Sequence, residues 1–327
     1  MSLSKKRKKK RTALAVSVLV ILLIILGVLA YAYMLLENIN YREITDDDAA
    51  LGITPAPDTE EGETIPRVTN IVLFGLDKRD PDEASRTDSI IVVSLDGNHK
   101  KIKITSFMRD MYVTIPGEDD GRINAAYTYG GAPLAIKTIN SNFGLDIRNY
   151  VAVDFIGLEK IIDKVGGVEV NVKSGEVKEL NRRVQEVAAL EGVKNPPTVK
   201  KAGLQILDGR QAVAYARIRK VGNADYERTQ RQRNVLNSLY RKVKSQGIAK
   251  LPGTVSGMLP YVETSLKKTQ IMQLALEVAG YDADALEQLR LPVDGGFTSK
   301  SIKGMQVLVP DIELNTKLLH QFIYDVE

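Results

Sequence analysis

The sequence has no cysteine and only two histidines, His99 and His320, among its 327 residues. These absences exclude disulfides, thiol nucleophiles, cysteine zinc sites and clustered histidine metal sites. The Gly-x-Ser-x-Gly elbow, the Gly-Lys-Ser/Thr phosphate loop and the His-Glu-x-x-His motif are also missing. Chemistry based on oxygen ligands and arginine remains open.

Negative charge is absent from the first 36 residues, which hold seven of the 45 basic residues. The whole chain carries a net charge of +4, but the part beyond residue 36 is at −3. The basic cluster ends directly at an apolar segment, so membrane topology explains it better than a nucleic-acid-binding arm does.

The apolar segment extends from Ala13 to Leu36 without a charged residue. As a helix its 24 residues would span about 36 Å, enough to cross a bilayer and longer than a signal-peptide core. The positive-inside rule then predicts a cytoplasmic tail at residues 1–12, a membrane helix at 13–36 and an extracytoplasmic remainder. Cleavage at Ala30-Tyr31-Ala32 is the alternative, and it would release the protein.

Residues 37–67 are acidic and rich in proline, with little apolar periodicity. They predict an extended linker. Because no internal repeat follows, residues 68–327 are expected to form one continuous extracytoplasmic domain.

Within that domain, apolar runs and helical periodicity alternate. The alternation predicts the α/β class: a single layered α-β-α domain with a central mixed sheet flanked by helices. The expected strands are Asn70–Phe74, Ser89–Leu95, Lys101–Thr105, Tyr150–Val153, Val168–Val172 and Met305–Val309. The expected helices are Pro133–Asn142, Phe155–Val165, Asp225–Lys244 and one from Asp311, with another in the polar stretch 173–201.

Two carboxylates flank the loop between the first two predicted strands. Asp77 follows the first strand and Asp88 opens the second, which places both at the same end of neighbouring strands. Mg²⁺ is commonly held by one or two carboxylates, with substrate phosphates and water completing its shell. The alternative is that both residues only cap loops.

Arginines gather in three short regions of the sequence. They are Arg79 and Arg86 in the same loop, Arg109 with Asp110 after the third strand, and a later group of Arg217, Arg219, Arg228, Arg231 and Arg233. Guanidinium groups match phosphate oxygens bidentately.

The last of these regions includes the start of a predicted helix. Arg228, Arg231 and Gln232 would share one face near its first turn, with Asp225 as the cap. A helix N-terminus bearing arginines predicts an anion site. An ordinary charged helix surface is the alternative.

Together these segments resemble the LytR-CpsA-Psr family of bacterial cell-wall glycopolymer ligases, over roughly Asn70 to Leu239. Leu76 and Met108 depart from the usual residues at their positions, without removing a charged side chain. The matching segments are Asn70-Ile-Val-Leu-Phe-Gly-Leu-Asp77-Lys-Arg79, Arg86-Thr-Asp88-Ser, Ser106-Phe-Met-Arg109-Asp110, Ile123-Asn-Ala-Ala-Tyr127-Thr-Tyr-Gly-Gly131, Val153-Asp-Phe-Ile-Gly157, Val165-Gly-Gly-Val168, residues 207–219 and Asp225-Tyr-Glu-Arg228-Thr-Gln-Arg231-Gln232.

The resemblance implies a membrane-anchored phosphotransferase that moves a glycopolymer from a polyprenyl-pyrophosphate carrier to a peptidoglycan hydroxyl and releases polyprenyl phosphate. It implies Mg²⁺, or Mn²⁺, held by Asp77 and Asp88, and a reaction centre at Arg109 with Asp110 orienting it. Because arginine stays protonated at ordinary pH, transition-state charge stabilisation by Arg109 is favoured over proton abstraction. The implied pyrophosphate-binding residues are Arg79, Arg86, Arg217, Arg219, Arg228, Arg231 and Gln232.

The prenyl chain would need an apolar groove, expected between the strands and the Phe155–Val165 helix. Three other functions stay open from sequence: hydrolysis of the same pyrophosphate, a non-catalytic envelope receptor or scaffold, and a transcriptional regulator. The regulator would need DNA access, which the predicted topology denies.

Overall fold

The computed structural model describes residues 39–54, 68–77, 86–222, 224–247, 250–281 and 286–325. The predicted tail and membrane helix lie outside these ranges, as does Arg79. Within the described ranges no helix has the length and apolarity needed to cross a bilayer.

The described strands are β1 Asn40–Tyr41, β2 Val68–Asp77, β3 Arg86–Asp96, β4 Lys101–Phe107, β5 Tyr112–Val113, β6 Gly121–Arg122, β7 Asn149–Asp154, β8 Val168–Val172, β9 Gly203–Leu207, β10 Glu263–Thr264, β11 Leu286–Leu291, β12 Phe297–Ile302 and β13 Met305–Pro310. Seven of them form a central mixed sheet in the order β1-β10-β7-β2-β3-β4-β11. The pairs β1/β10, β7/β2 and β4/β11 are parallel, and the other neighbours are antiparallel. Three two-stranded sheets lie outside it: β5/β6, β8/β9 and β12/β13.

Helices cover both faces of the sheet. The described helices are α1 Ala125–Phe143, α2 Phe155–Lys164, α3 Val177–Leu190, α4 Gly209–Ala216, α5 Ala224–Ser245, α6 Leu251–Met258, α7 Lys268–Ala279 and α8 Ile312–Tyr324, with short 3-10 helices at Ser174–Glu176 and Leu259–Tyr261. This architecture confirms the predicted α/β class with a central mixed sheet flanked by helices.

The layering follows from alternation along the strands, because successive side chains point to opposite faces. On β2, Phe74 packs against α1 and α8 in one apolar cluster, whereas its neighbour Leu73 packs with α5 and α7 in another. A third cluster joins α2, α3, α4, the β8/β9 hairpin and the middle of α5. The third cluster is the scaffold that supports the arginines described below.

Residues 39–54 belong to this fold, which differs from the linker predicted for 37–67. Leu51 is fully buried in the first cluster, and its carbonyl accepts a hydrogen bond from Asn140 at 2.9 Å. Asn40 and Tyr41 form the edge strand β1. The linker prediction is wrong for these residues, because two apolar side chains, Leu51 and Ile53, are enough to dock the segment on the first cluster.

Each predicted strand corresponds to an observed one, and β2, β3 and β4 are longer than predicted. The patterns did not predict β1, β5, β6, β9, β10, β11 and β12. Of these, β11 is a parallel strand beside β4 whose sequence Leu-Glu-Gln-Leu-Arg-Leu carries charges within it. Helix α5 begins at Ala224, so Asp225 lies in its first turn and is not the cap. The predicted start differs from the described one by a single residue, which is within the usual spread of assigned helix ends.

Candidate functional site

The site lies where β2 ends and β3 begins. Gly75 pairs with Ser89 and Leu76 pairs with Thr87, so Asp88 is the extra residue of a β-bulge. A bulge turns its extra residue out of the regular ladder. A Cβ atom on Gly75 would lie 2.9 Å from the Ser89 Cβ, so this close pairing requires glycine.

Arg109 reaches Asp88 from the segment after β4. Its Nη1 lies 2.5 Å from Asp88 Oδ1, and its Nε lies 3.4 Å from Asp110 Oδ2. Asp110 also accepts a hydrogen bond from Arg122 at 3.1 Å. Asp110 is therefore placed to orient the Arg109 guanidinium, and it does not line the cavity that the arginines form.

The α4 to α5 connection supplies two more arginines. Arg219 Nη2 lies 3.2 Å from Asp88 Oδ2, so both oxygens of this carboxylate contact guanidinium groups. Arg217 stacks on the Phe155 ring with its Cζ 4.2 Å from the ring centroid. Phe155 is held at the start of α2, where the Asp154 side chain accepts a hydrogen bond from the Gly157 amide at 2.7 Å.

The first turns of α5 complete the site. Arg228 Nη2 lies 3.0 Å from Asp225 Oδ1, one turn earlier. Gln232 follows Arg228 by four residues and lies on the same face, as the helical period requires. Both residues line the cavity.

These elements enclose a polar cavity of about 220 Å³. Six arginines and two aspartates contribute, and the excess of positive charge suits a polyanion. The lining residues are Asp77, Arg86, Asp88, Arg109, Phe155, Arg183, Ala216, Arg217, Arg219, Arg228 and Gln232.

Three lining residues were not assigned to the site from the sequence: Phe155, Arg183 and Ala216. Arg183 lies on α3 and pairs with Glu179 at 3.2 Å and Glu186 at 2.9 Å. It comes from the polar stretch 173–201, where no motif marks it. Only the packing of α3 against α4 brings it to the cavity.

The charged groups shift one another's ionisation. Burial opposes ionisation of Asp88, but the neighbouring guanidinium groups, Arg109 foremost, hold the pKa of this carboxyl below its ordinary value. Burial likewise opposes the charge on Arg109, yet the surrounding carboxylates, chiefly Asp88, raise the pKa of Arg109. The protonated form of Arg109 is therefore favoured, which suits charge stabilisation better than proton abstraction.

Arg228 is different, because its positive charge lacks full compensation. Its side chain is 4% exposed, and its Nε and Nη1 have no hydrogen-bond acceptor in the described part of the chain. Burial, with the nearby charge of Arg109, lowers the pKa of Arg228 to about 10. Buried unpaired donors are costly, and an anion in the cavity would supply the missing acceptors.

Arg231 does not join the cavity, which corrects its prediction as a pyrophosphate-binding residue. Its guanidinium is 2% exposed and binds Glu176 at 2.8 Å and Glu227 at 2.6 Å. It also donates to the carbonyls of Ile218 and Val221, both at 3.2 Å. Arg231 follows Arg228 by three residues, which is a rotation of about 60° around α5. The Arg231 side chain therefore points into the third cluster and not into the cavity.

A second, apolar cavity of about 120 Å³ adjoins the polar one. It lies between the sheet and helices α2, α4 and α5, where the sequence predicted a groove along the strands and the Phe155 helix. Asp88, Phe155, Ala216, Arg217 and Gln232 line both cavities. Its further lining includes Leu73, Ile91, Val153, Leu158, Val213, Val235, Leu236 and Leu239.

Asp77 and Asp88 offer oxygen ligands at one edge of the polar cavity. Two carboxylates without histidine match the donor set that Mg²⁺ uses beside phosphate oxygens. The lowered pKa of Asp88 keeps that carboxylate ionised, as a metal ligand requires. The residues present fit such an ion when a diphosphate draws Arg109 or Arg219 away, because both Asp88 oxygens contact these guanidinium groups in this structure.

A sequence model of the LytR_cpsA_psr family matches residues 56–322 of the chain. Among curated proteins, the regulatory protein MsrR of Staphylococcus aureus (strain COL) is 34% identical over 231 residues, which are 70% of this chain and 65% of MsrR. The match thus spans 65% of that relative's length, less than two-thirds of it. Polyisoprenyl-teichoic acid--peptidoglycan teichoic acid transferase TagV of Bacillus subtilis (strain 168) is 29% identical over 301 residues, 89% of this chain and 69% of TagV.

Solved structures share the fold. The crystal structure of B. subtilis TagV is 26% identical and covers 80% of this chain and 98% of its own, with a TM-score of 0.62. TagT bound to LIIa-WTA is 24% identical over 79% of this chain and 91% of its own, with a TM-score of 0.63. TagT with bound octaprenyl pyrophosphate lipid is 22% identical over 82% of this chain and 95% of its own, with a TM-score of 0.59. The chain belongs to the LytR_cpsA_psr family.

Proposed function

We propose that this protein transfers a glycopolymer from a polyprenyl-pyrophosphate carrier to a hydroxyl of peptidoglycan, forming a phosphodiester and releasing polyprenyl phosphate. We further propose that it acts at the outer face of a bacterial cell membrane, with residues 1–12 cytoplasmic and residues 13–36 spanning the bilayer. The relative named as a teichoic acid transferase supports the first proposal. The charge distribution of the first 36 residues supports the second.

The continuity of the two cavities carries the proposal. In the proposed carrier, a doubly charged diphosphate joins the glycan to a long hydrocarbon chain. The polar cavity supplies arginines, and the apolar cavity begins at the residues they share, with Gln232 and Phe155 at the junction. A soluble phosphate compound would not need the apolar half.

Phosphoryl transfer depends on positioning and charge neutralisation more than on covalent help from the protein. The acceptor oxygen bonds to the phosphorus that bears the glycan, the bond to the bridging oxygen breaks, and that oxygen leaves with polyprenyl phosphate. The acceptor hydroxyl loses its proton to water as the new bond forms. Arg109 stabilises the negative charge that develops on the transferring phosphoryl group.

The remaining arginines bind the ground state. Arg228 has two free donors for a phosphate oxygen, and Arg217, Arg219 and Arg86 line the same cavity. Both Asp88 oxygens are engaged by Arg109 and Arg219 in this structure. A diphosphate entering the cavity would compete for those two guanidinium groups and leave Asp88 with a free oxygen.

Asp77 and Asp88 would hold Mg²⁺, or Mn²⁺, whose charge would neutralise the diphosphate when bound. The protein residues provide the rest of the site: arginines orient the diphosphate, and Phe155 supports Arg217 from beneath.

Hydrolysis of the same pyrophosphate and a non-catalytic envelope receptor are the competing functions. Hydrolysis would use water in place of the glycan acceptor at the same arginines. A receptor would bind the lipid without turnover, so its cellular role would survive Arg109→Ala.

The test uses the full chain in vesicles with a polyprenyl-pyrophosphate oligosaccharide, Mg²⁺ and a peptidoglycan fragment, and it follows the products by mass spectrometry. We expect a glycan-phosphate-peptidoglycan adduct from the wild type and from Arg182→Ala, an arginine of α3 outside the cavity. Arg109→Ala and a chelator should abolish it. Polyprenyl phosphate without adduct, at equal rates with and without acceptor, would point to hydrolysis. Bound lipid with neither product would contradict the transferase.

A further inference from the structure

Two further arginines, Arg233 and Arg290, lie close to the site without lining its polar cavity. Arg233 belongs to α5 and is 6% exposed. Arg290 belongs to β11, the strand that pairs with β4 at the edge of the central sheet. Neither residue has a role in the proposed reaction so far, although both bring positive charge between α5 and β11.

Side chains of α5 and β11 face each other in this region. Arg290 stacks on Tyr226 of α5, with its Cζ 4.3 Å from the ring centroid. Gln288 lies two residues before Arg290 and therefore on the same face of the strand, where it accepts a hydrogen bond from Arg233 Nε at 3.0 Å. Tyr226 and Arg233 are about two helical turns apart, so they share one face of α5. The two arginines thus lie in one layer between helix and strand.

Arg233 has neutral partners in the described part of the chain. Gln288 accepts from its Nε, and Gln230 accepts from its Nη2 at 2.5 Å. Its Nη1 is out of contact with solvent and has no acceptor among the described residues. Burial, with the nearby charge of Arg290, lowers the pKa of Arg233 to about 10. A buried guanidinium without a carboxylate is costly, and a bound anion would offset that cost.

The charge of Arg290 is only weakly compensated. Its Nη2 lies 2.5 Å from Asp294 Oδ1, but the Asp294 side chain is 90% exposed, and ion pairs with such partners contribute little. Ser106 lies beside Arg290 in the register of β4 and β11, on the same face of the sheet. The Ser106 Oγ is buried and has no hydrogen-bond partner within the described ranges. An anion that displaced Asp294 would gain this hydroxyl as a further donor.

Arg290 lies on the side of Arg109 that faces away from the apolar cavity. The strands run in the order β2, β3, β4 and β11, and the apolar cavity is lined from β2 and β3. Arg109 follows β4, and the neighbouring Met108 amide donates to the carbonyl of Leu291, directly after Arg290, at 2.8 Å. An in-line displacement brings the attacking oxygen to the phosphorus opposite the leaving group. Because polyprenyl phosphate would leave toward the apolar cavity, the acceptor would enter from the β11 side.

We propose that Arg233 and Arg290 bind a carboxylate of the peptidoglycan acceptor, with Ser106 as a further donor, and so position the acceptor hydroxyl at Arg109. This proposal rests on the proposed function. Carboxylate oxygens match the paired N–H groups of guanidinium. Gln230 is exposed, so its amide can turn into solvent while the carboxylate replaces it as the acceptor for Arg233. The peptides of peptidoglycan supply such carboxylates, whereas hydrolysis of the carrier would have no use for this subsite.

The binding test uses the full chain in vesicles without the carrier lipid, and a soluble peptidoglycan fragment of disaccharide and peptide. A second preparation of the fragment has its carboxyl groups converted to amides. Polyglycerol phosphate supplies an anion without carboxylates. Isothermal titration compares wild type, Arg290→Gln and Arg233→Gln with Arg182→Gln on α3 as the matched control, and circular dichroism confirms that each variant is folded.

We expect wild type and Arg182→Gln to bind the unmodified fragment equally. Amidation of the fragment, Arg290→Gln or Arg233→Gln should each weaken binding by about 10-fold, the usual contribution of a charge-assisted hydrogen bond. In the transfer assay, Arg290→Gln should raise the KM for the acceptor to the same degree and leave the KM for the carrier unchanged. Equal binding of the amidated and unmodified fragments by wild type would overturn the proposal. So would a loss confined to polyglycerol phosphate, because the arginines would then bind the glycopolymer.

The proposed transferase and the proposed carboxylate subsite fail separately. Fragment binding that depends on Arg290, without any adduct, would contradict the transferase and support the subsite. An adduct formed by Arg290→Gln with an unchanged KM for the acceptor would contradict the subsite and support the transferase.

Discussion

Asp88 accepts two guanidinium groups at once, Arg109 at 2.5 Å on Oδ1 and Arg219 at 3.2 Å on Oδ2. The bulge in β3 is what turns this carboxylate toward both of them. Without the extra residue, the strand would direct its side chains alternately to the two apolar faces. One irregular strand position thus organises the charged site.

Arg109→Ala should lower kcat by about 10³-fold, since a single charge-stabilising donor or arginine finger contributes on that order. Unfolding should be little affected, because Asp88 keeps its contact with Arg219. Single-turnover rates with saturating lipid carrier, beside thermal unfolding, check this. A variant with unchanged kcat and a raised KM would instead assign Arg109 to ground-state binding.

Arg228→Met should stabilise the ligand-free protein by about 1 kcal/mol, because it removes a buried cation with two unpaired donors. The same change should abolish the rise in melting temperature that inorganic pyrophosphate produces in the wild type. Chemical denaturation without ligand and thermal shift with ligand measure the two effects. A less stable ligand-free variant would show that the Arg228 charge is satisfied in the absence of ligand.

Arg231→Met should destabilise the fold by about 3–5 kcal/mol, because it leaves the 1% exposed Glu176 carboxylate without its cation. The contrast with Arg228→Met, three residues earlier on the same helix, separates a structural arginine from a ligand-binding one. Denaturant midpoints of the two variants provide the comparison. If both lost pyrophosphate binding and neither lost stability, Arg231 would belong to the site after all.

The contribution of Asp88 to the free energy of unfolding should decrease at acid pH. Its pKa is lower in the folded protein than in the unfolded chain, so its contribution is present above the unfolded pKa of about 3.9 and is lost as the pH falls through the folded pKa. The difference in unfolding free energy between wild type and Asp88→Asn should be constant from about pH 5 to about pH 8 and shrink below about pH 4. A difference that varies near neutrality would contradict the assigned direction of the shift.

Leu51→Ala should lower the unfolding free energy by about 2–5 kcal/mol, the usual cost of a cavity at a fully buried leucine. Leu204→Ala, at a 67% exposed leucine, is the matched control and should stay within about 0.5 kcal/mol of wild type. Urea denaturation of both variants is the measurement. If neither variant changed the unfolding free energy, residues 39–54 would behave as a linker that does not stabilise the fold.

The amino-acid sequence determined the α/β class and most strands and helices of the core, because period-2 and period-3.6 patterns report directly on which side of an element is buried. It also identified Asp77, Asp88, Arg109 and the Arg217 to Gln232 region as a group. These residues lie in short segments next to predicted strand and helix ends, where functional side chains are commonly presented.

Only the tertiary structure decided which arginines share the cavity. Arg228 and Arg231 look alike in sequence, yet one faces the cavity and the other pairs with Glu176 and Glu227, because a rotation of about 60° around α5 separates their surroundings. Arg183 reaches the cavity by the packing of α3, which no local pattern encodes. How deeply a side chain is buried and which residues it contacts depend on elements distant in sequence. The sequence shows which positions carry a charge, but the tertiary structure decides what surrounds that charge.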